Sequence, residues 1–96
     1  MLSDKILVID DEARMCDSLK LLLKNSGFEV QTSNSGHEAM EYLGKNTFDL
    51  VFLDLVMPDM DGFQVMDYIN RQHPDTMVII ITGYASMESA LKALRN

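Results

Sequence analysis

Four short apolar runs, each followed by a stretch with helical periodicity, constrain the fold of this 96-residue chain more than any other feature. The runs that we interpret as strands are residues 5–9 (KILVI), 28–32 (FEVQT), 50–53 (LVFL) and 77–81 (MVIII). The helical stretches are residues 12–25, 35–43, 62–72 and 86–95. Mostly apolar strands that alternate with amphipathic helices indicate a parallel sheet covered on both faces. We therefore predict one α/β domain with a doubly wound parallel sheet.

Polar residues follow the predicted strands directly: Asp10 and Asp11 after the first, Asp54 after the third and Thr82 after the fourth. If the first and third strands are neighbours, the strand order is 2-1-3-4. This order places a topological switch point between them, which is where open α/β sheets bind ligands. The three aspartates are then expected to converge. Two unit charges about 5 Å apart repel by roughly 3 kcal/mol at an effective dielectric constant of about 20. Binding of a hard divalent cation, Mg²⁺, is the simplest way to relieve this repulsion.

A metal beside a free carboxylate and a hydroxyl group indicates phosphoryl transfer. The metal and Thr82 would neutralise phosphoryl oxygens while the Asp54 carboxylate attacks in line. Gly83 leaves room at the backbone for such a group. Taken alone, Asp10 and Asp11 also fit an acidic helix start that the helix dipole favours, Asp54 a solvated strand end, and Thr82 an ordinary strand end or cap.

The overall composition excludes several classes of function. With 8 basic and 15 acidic residues the formal charge is −7, so neither nucleic-acid binding nor binding to an anionic membrane is expected of this domain. The single cysteine, Cys16, excludes an internal disulfide and suits a reducing compartment. No apolar run approaches the roughly 20 residues that span a bilayer, and the opening residues do not resemble a signal peptide. A soluble, cytoplasmic protein is expected.

Three motifs together resemble the receiver domain of two-component response regulators. They are LVIDDE at residues 7–12, VFLDLVMPDMDG at 51–62 and IIITGYA at 79–85, in order and at appropriate separation. The resemblance implies a flavodoxin-like fold in which Asp54 accepts a phosphoryl group from a phosphohistidine of a sensor kinase. It also implies Mg²⁺ ligands at Asp10, Asp11, Asp54 and the Val56 carbonyl. Thr82 would then hydrogen-bond the phosphoryl group and begin a conformational switch that acts on an output domain or partner.

The chain departs from that family in ending after the fourth βα unit, so we expect residues 1–96 to form a receiver domain that lacks its fifth strand and helix. An exposed fourth strand then predicts marginal stability and a homodimer or strand-swapped oligomer. The resemblance also implies a lysine past Asn96 that would pair with the phosphoryl group, and its absence from these 96 residues predicts weak phosphorylation. Val56 and Tyr84 match positions that tune phosphoryl lifetime, and an apolar and an aromatic side chain there predict slow hydrolysis. By the same match, Asp59 and Asp61 are loop carboxylates.

Two other functions remain open at this stage. A pseudo-receiver would bind a partner without phosphorylation, and the intact Asp10, Asp11, Asp54 and Thr82 weigh against it. A phosphatase of the haloacid dehalogenase type also has an aspartate nucleophile, but it needs the pattern D-x-D after its first strand, where this chain has adjacent aspartates.

A calcium-binding loop at residues 57–68 is excluded, because its positions 1 and 12 are Met57 and Tyr68, where acidic residues are required.

Overall fold

The computed structural model describes residues 4–81, and within them the chain alternates strands and helices as predicted. The elements are β1 (Lys5–Ile9), α1 (Ala13–Asn25), β2 (Glu29–Ser33), α2 (Gly36–Lys45), β3 (Leu50–Asp54), α3 (Gly62–Gln72) and β4 (Met77–Ile81). Each predicted element in this range is confirmed, with boundaries that differ by at most a residue or two. The helix predicted over residues 86–95 lies outside the described residues.

The four strands form one parallel sheet in the order β2-β1-β3-β4, which confirms the predicted arrangement. In its register Ile9 lies beside Ser33 of β2 on one side and Leu53 of β3 on the other. The residues that follow β1 and the last residue of β3 therefore lie at the same edge of the sheet. The strands that follow β1 in the chain lie on opposite sides of it, β2 on one side and β3 on the other. This edge of the sheet therefore contains the predicted topological switch point.

The apolar strands separate into two cores because successive side chains of a strand point to opposite faces. Ile6, Val8, Leu50 and Phe52 belong to the core on the face that α1 covers, where Leu19 and Leu23 meet them. The alternate strand residues belong to the core beneath α2 and α3; they are Leu7, Ile9, Val51 and Leu53. A sheet covered on both faces explains why β1 and β3 have no polar alternation.

The apolar helix faces differ in detail from the predicted ones. Helical spacing predicts that Met15, Leu19, Leu22 and Leu23 form the apolar face of α1, but Leu22 is exposed and Cys16 is buried. Helical spacing predicts that Phe63, Met66 and Ile69 form the apolar face of α3; for Phe63 this is wrong, because the residue is 56% exposed, and Val65 is buried. Most of each predicted face is nonetheless buried or partly buried, including Leu19 and Leu23 of α1 and Ile69 of α3, so helical spacing located each face and misassigned one position on it.

Helix ends follow the local signals in the sequence. Gly27, with φ of 96°, lies just beyond the end of α1, in the left-handed conformation that glycine adopts without strain. The Ser35 hydroxyl accepts a hydrogen bond from the Glu38 N–H at 3.1 Å and so caps α2, as its spacing predicted. The Glu38 carboxylate accepts from the Asn34 N–H rather than from Ser35, so the capping box is one residue wider. Among the helices of residues 4–81, none is long and apolar enough to cross a membrane.

Candidate functional site

Three carboxylates meet at the carboxyl-terminal edge of the two central strands. Asp10, Asp11 and Asp54 each provide a carboxylate oxygen, and these three oxygens lie within 4.8 Å of one another. Asp10 is buried, Asp54 is half-buried and Asp11 is exposed, so the group opens from the sheet toward solvent. The predicted convergence of these residues, far apart in sequence, is confirmed.

The backbone of Asp10 is held from two sides. Its N–H donates to the Ser33 carbonyl of β2 at 3.0 Å, which extends the sheet by one bond past β1. Its own carbonyl accepts from the Cys16 thiol at 3.4 Å and from the Asn34 side-chain amide at 3.3 Å. Burial, followed by the charge of Asp10, raises the pKa of Cys16 to about 11, so the thiol stays protonated and able to donate. These contacts fix the position from which the Asp10 side chain enters the site.

The Asp10 carboxylate is electrostatically strained. The residue is only 4% exposed, and burial is the main cause that raises the pKa of its carboxyl group to about 6. The charges of Asp54 and Asp11 raise this pKa further, whereas a 2.9 Å hydrogen bond from the Glu12 N–H to Oδ1 lowers it. A cation bound beside Asp10 would lower this pKa, opposing the effect of the neighbouring negative charges.

Asp54 is oriented by its own loop. The Val56 N–H donates to Oδ1 of Asp54 at 3.0 Å, which fixes one carboxylate oxygen and leaves the other without that constraint. The pKa of Asp54 is raised, chiefly by burial, although the Val56 N–H lowers it; the charge of Asp11 raises it as well. Val56 itself is 77% exposed beside this carboxylate.

The donor set fits a hard divalent cation. Its atoms are all carboxylate oxygens, which Mg²⁺ prefers, and an open side toward solvent suits an ion that keeps several of its waters. Soft ions fit less well, because the thiol of Cys16 points at carbonyl groups behind Asp10. The residues therefore fit a magnesium site.

The loop between β3 and α3, residues 55–61, is shaped by a close backbone approach at Gly62. A Cβ atom at Gly62 would lie 2.8 Å from the Asp54 carbonyl oxygen and 2.9 Å from that of Leu55. The Gly62 N–H donates to the Leu55 carbonyl at 3.1 Å, and an isolated bridge joins Val56 to Asp61. The loop thus folds back on the end of β3 beside the site.

Asp59 and Asp61 have structural roles that the sequence interpretation missed. Asp61 is the N-cap of α3, with its carboxylate accepting from the Phe63 N–H at 2.9 Å. Asp59 accepts hydrogen bonds from the N–H groups of Gly36 and His37 in the first turn of α2. The Asp-x-Asp-Gly pattern before α3 signals the first cap, but no local signal identifies the second, because its partners are more than 20 residues away.

Among the predicted site residues, Asp10, Asp11, Asp54 and Val56 are described and lie together. Thr82, Gly83 and Tyr84 lie outside the described residues, so their positions stay predictions. Sequence reasoning missed Asn34, which supports Asp10 from the end of the neighbouring strand, and it gave Cys16 no part in the site. Neither histidine has a partner at metal-ligand spacing in the sequence, which predicts surface positions for both. His37 is exposed and paired with Asp59, whereas His73 is half-buried and contacts the Leu43 carbonyl at 2.8 Å.

Comparisons with known proteins agree on one family. The family model described as "Response regulator receiver domain" matches residues 6–96. The transcriptional regulatory protein ZraR of Escherichia coli is 40% identical over 90 residues, which is 94% of this chain and 20% of ZraR. The chain thus spans about one fifth of the length of this curated relative.

Two solved structures are similar to the whole fold. A CheY-like receiver domain protein from Methanospirillum hungatei superposes with a TM-score of 0.82 and 30% identity, covering 99% of this chain and 75% of that one. The response regulator TrrA of Thermotoga maritima, solved in complex with Mg²⁺ and BeF, has a TM-score of 0.78 and 34% identity. The match covers 95% of this chain and 79% of TrrA.

Proposed function

The chain belongs to the family of response regulator receiver domains, and on that premise we propose that Asp54 is its phosphoacceptor. The observation that carries the proposal is the meeting of three carboxylate oxygens within 4.8 Å at the point where the strand order reverses. Asp54 is the half-buried member of this group, whereas Asp10 is buried and Asp11 is exposed. A switch with this chemistry assists its own phosphorylation and is not a turnover enzyme.

The residues proposed to hold Mg²⁺ are Asp10, Asp11, Asp54 and the backbone carbonyl of Val56. Support comes from the oxygen-only donor set and from the raised pKa values of Asp10 and Asp54, which indicate carboxylates crowded in a partly buried place. When bound, the metal neutralises charge on these carboxylates and on the phosphoryl oxygens.

The chain's own contribution to the transfer is to present one oxygen of Asp54. A carboxylate oxygen of Asp54 attacks phosphorus, a P–O bond forms, the P–N bond of the donor phosphohistidine breaks, and the electron pair returns to the imidazole nitrogen. The Val56 N–H holds Oδ1 at 3.0 Å, so the carboxylate keeps its orientation during the attack.

Three residues beyond Ile81 complete the proposal on the strength of the family resemblance. Thr82 would donate its hydroxyl to the phosphoryl group, and Gly83 would leave space for it. The exposed Val56 and the ring of Tyr84 would hinder attack by water and prolong the phosphorylated state. Comparing the decay of the label in the wild type and in Val56→Asn tests this, since an unchanged decay rate contradicts a role for Val56.

The proposed partners are a sensor histidine kinase as donor and an output domain or downstream protein as target. The transcriptional role of the relative makes transcription control the proposed outcome. The formal charge of −7 places any DNA binding on another domain and not on this one. We propose a cytoplasmic location, because the single free thiol suits a reducing compartment.

The direct test is chemical labelling of Asp54. The purified protein is treated with acetyl phosphate and Mg²⁺, and intact mass spectrometry detects the added phosphoryl group, which hydroxylamine should remove because it is an acyl phosphate. Asp54→Asn should abolish the label. Asp61→Asn is the matched control, since asparagine caps a helix about as well as aspartate and the same loop loses one charge.

Each outcome separates the proposal from its rivals. An unlabelled wild type that still binds a kinase would favour a binding-only pseudo-receiver. Catalytic hydrolysis of a chromogenic phosphate ester, lost in Asp54→Asn, would favour a phosphatase. Labelling that persists in Asp54→Asn would show that another residue is the acceptor.

A further inference from the structure

The carboxylate of Asp59 joins the β3–α3 loop to the start of α2. Its Oδ1 accepts from the Gly36 N–H at 3.0 Å, and its Oδ2 accepts from the His37 N–H at 3.1 Å. The His37 ring contributes a third contact, with Nδ1 2.7 Å from Oδ2. One side chain thus satisfies two first-turn N–H groups of a helix that begins 23 residues earlier.

The contact is not needed as an ordinary helix cap. Ser35 already caps α2 locally by accepting from the Glu38 N–H. The Asp59 carboxylate instead takes up the two N–H groups that lie before this one, where the helix dipole favours a negative charge. Hydrogen bonds from the Gly36 N–H, the His37 ring and the His37 N–H lower the pKa of Asp59 to about 2. This carboxylate therefore stays ionised at any physiological pH.

The rest of the loop has no equivalent link. Within residues 4–81, the hydrogen bonds that connect residues 55–61 to elements other than β3 and α3 all run through Asp59. Packing reinforces the same junction, because a Cβ atom at Gly36 would lie 2.5 Å from Cβ of Met60. The same loop contains Val56, whose N–H donates a hydrogen bond to Oδ1 of Asp54.

We propose that Asp59 is a positioning residue for the acidic site: by fastening the loop to the first turn of α2, it holds Val56 and Asp54 in the geometry that binds Mg²⁺ and accepts the phosphoryl group. The inference rests on the proposed function of Asp54. Loss of the link removes every hydrogen bond between the loop and α2, and the positions that Val56 samples then orient the carboxylate less well.

The test compares four variants of the protein at a temperature where each is folded by circular dichroism. Asp59→Ala removes all three contacts, and Asp59→Asn leaves one acceptor oxygen. His37→Ala keeps both backbone contacts, and Asp61→Asn removes the same charge from the same loop without breaking the link. The Mg²⁺ dissociation constant is measured from the shift of the Val56 amide in NMR spectra. The labelling rate is measured against acetyl phosphate concentration.

Asp59→Ala should raise the Mg²⁺ dissociation constant by about tenfold, the lower end of what loss of an outer-sphere partner causes. Asp59→Asn should be intermediate. His37→Ala should remain within about twofold of the wild type, because an exposed ion pair contributes little. The maximal labelling rate should decrease across the variants in the same order as their affinity for Mg²⁺. A general loss of stability would not produce this order in variants that remain folded.

A folded Asp59→Ala with the dissociation constant of the wild type overturns the inference. So does Asp61→Asn weakening Mg²⁺ binding as much as Asp59→Ala, since the effect would then be one of charge alone. If Asp59→Ala does not fold, the dissociation constant of Asp59→Asn is compared with those of the wild type and Asp61→Asn instead, and the same outcomes apply. A wild type that neither binds Mg²⁺ nor accepts a label defeats the proposed function itself, which is a different result.

Discussion

Gly62→Ala is expected to destabilise the protein and to disturb the acidic site, because the added methyl group meets backbone and not a flexible side chain. The Cβ atom would lie 2.8 Å from the Asp54 carbonyl oxygen and 2.9 Å from that of Leu55, and closer still to the Leu55 Cα. Ordinary carbon–oxygen contacts are longer by several tenths of an ångström. Either the start of α3 or the end of β3 must therefore move, and the end of β3 is Asp54.

The magnitude follows from two opposing effects. Forcing an extra carbon into a packed place costs about 1–3 kcal/mol. Replacing glycine by alanine in a helix gains at most about 1 kcal/mol, and less at the first helical residue, which Gly62 occupies. The net loss is about 1.5 kcal/mol. In a domain of this size that corresponds to a decrease of roughly 6–12 °C in the melting temperature.

Gly44→Ala is the matched control, since the same substitution should have the opposite sign. Gly44 lies near the end of α2, and a Cβ atom there meets nothing within 4 Å. Only the propensity gain remains, about 0.5 kcal/mol at a site near the helix end.

The measurement is urea unfolding of the wild type and both variants, followed by far-UV circular dichroism without Mg²⁺, and then Mg²⁺ titration of the folded proteins. Gly62→Ala should lower the unfolding midpoint and weaken Mg²⁺ binding, whereas Gly44→Ala should raise the midpoint and leave Mg²⁺ binding unchanged. Equal midpoints for the two alanine variants would refute the reasoning, because a close approach at Gly62 alone distinguishes them.

Two other changes test the electrostatics of the site and of the loop. Asp11→Asn should stabilise the metal-free protein by about 1 kcal/mol, after allowance for solvent screening at this exposed residue, because it relieves repulsion within the carboxylate group. It should also reduce the rise in melting temperature on adding Mg²⁺; a metal-free melting temperature no higher than that of the wild type contradicts this. Because folding lowers the pKa of Asp59 from 3.8 to about 2, its stabilising contribution is fully present above pH 4 and is lost as the pH falls toward 2. The stability difference between the wild type and Asp59→Asn should therefore narrow over this range in acid titrations, and a difference that stays constant from pH 5 to pH 2 argues against the Asp59 contacts.

Much of the fold follows from local patterns that the sequence displays. The runs KILVI and LVFL are apolar at every buried position, so their residues serve two cores and specify central strands of a covered parallel sheet. Gly27 and Ser35 mark helix ends by conformational and hydrogen-bonding preferences that act within a few residues. The placement of Asp10 and Asp54 at strand ends is equally local, and a parallel sheet brings such ends together.

Tertiary structure decided what depends on contacts between distant segments. Whether Leu22 or Cys16 is buried on α1, and whether Phe63 or Val65 is buried on α3, depends on how each helix is rotated against the sheet. Helical spacing constrains that rotation only to within a residue. The support of Asp10 by Asn34 arises because β1 and β2 are neighbours, with Ile9 beside Ser33.

By itself, the sequence determined which segments are strands and helices, which residues end them, and that acidic groups gather at one edge of the sheet. It could do so because periodicity, caps and strand ends are properties of neighbouring residues. Only the tertiary structure decided that Asp59 fastens its loop to α2, a link between residues 23 positions apart that no local pattern encodes. Such links depend on the relative placement of elements, which packing sets after each element has formed.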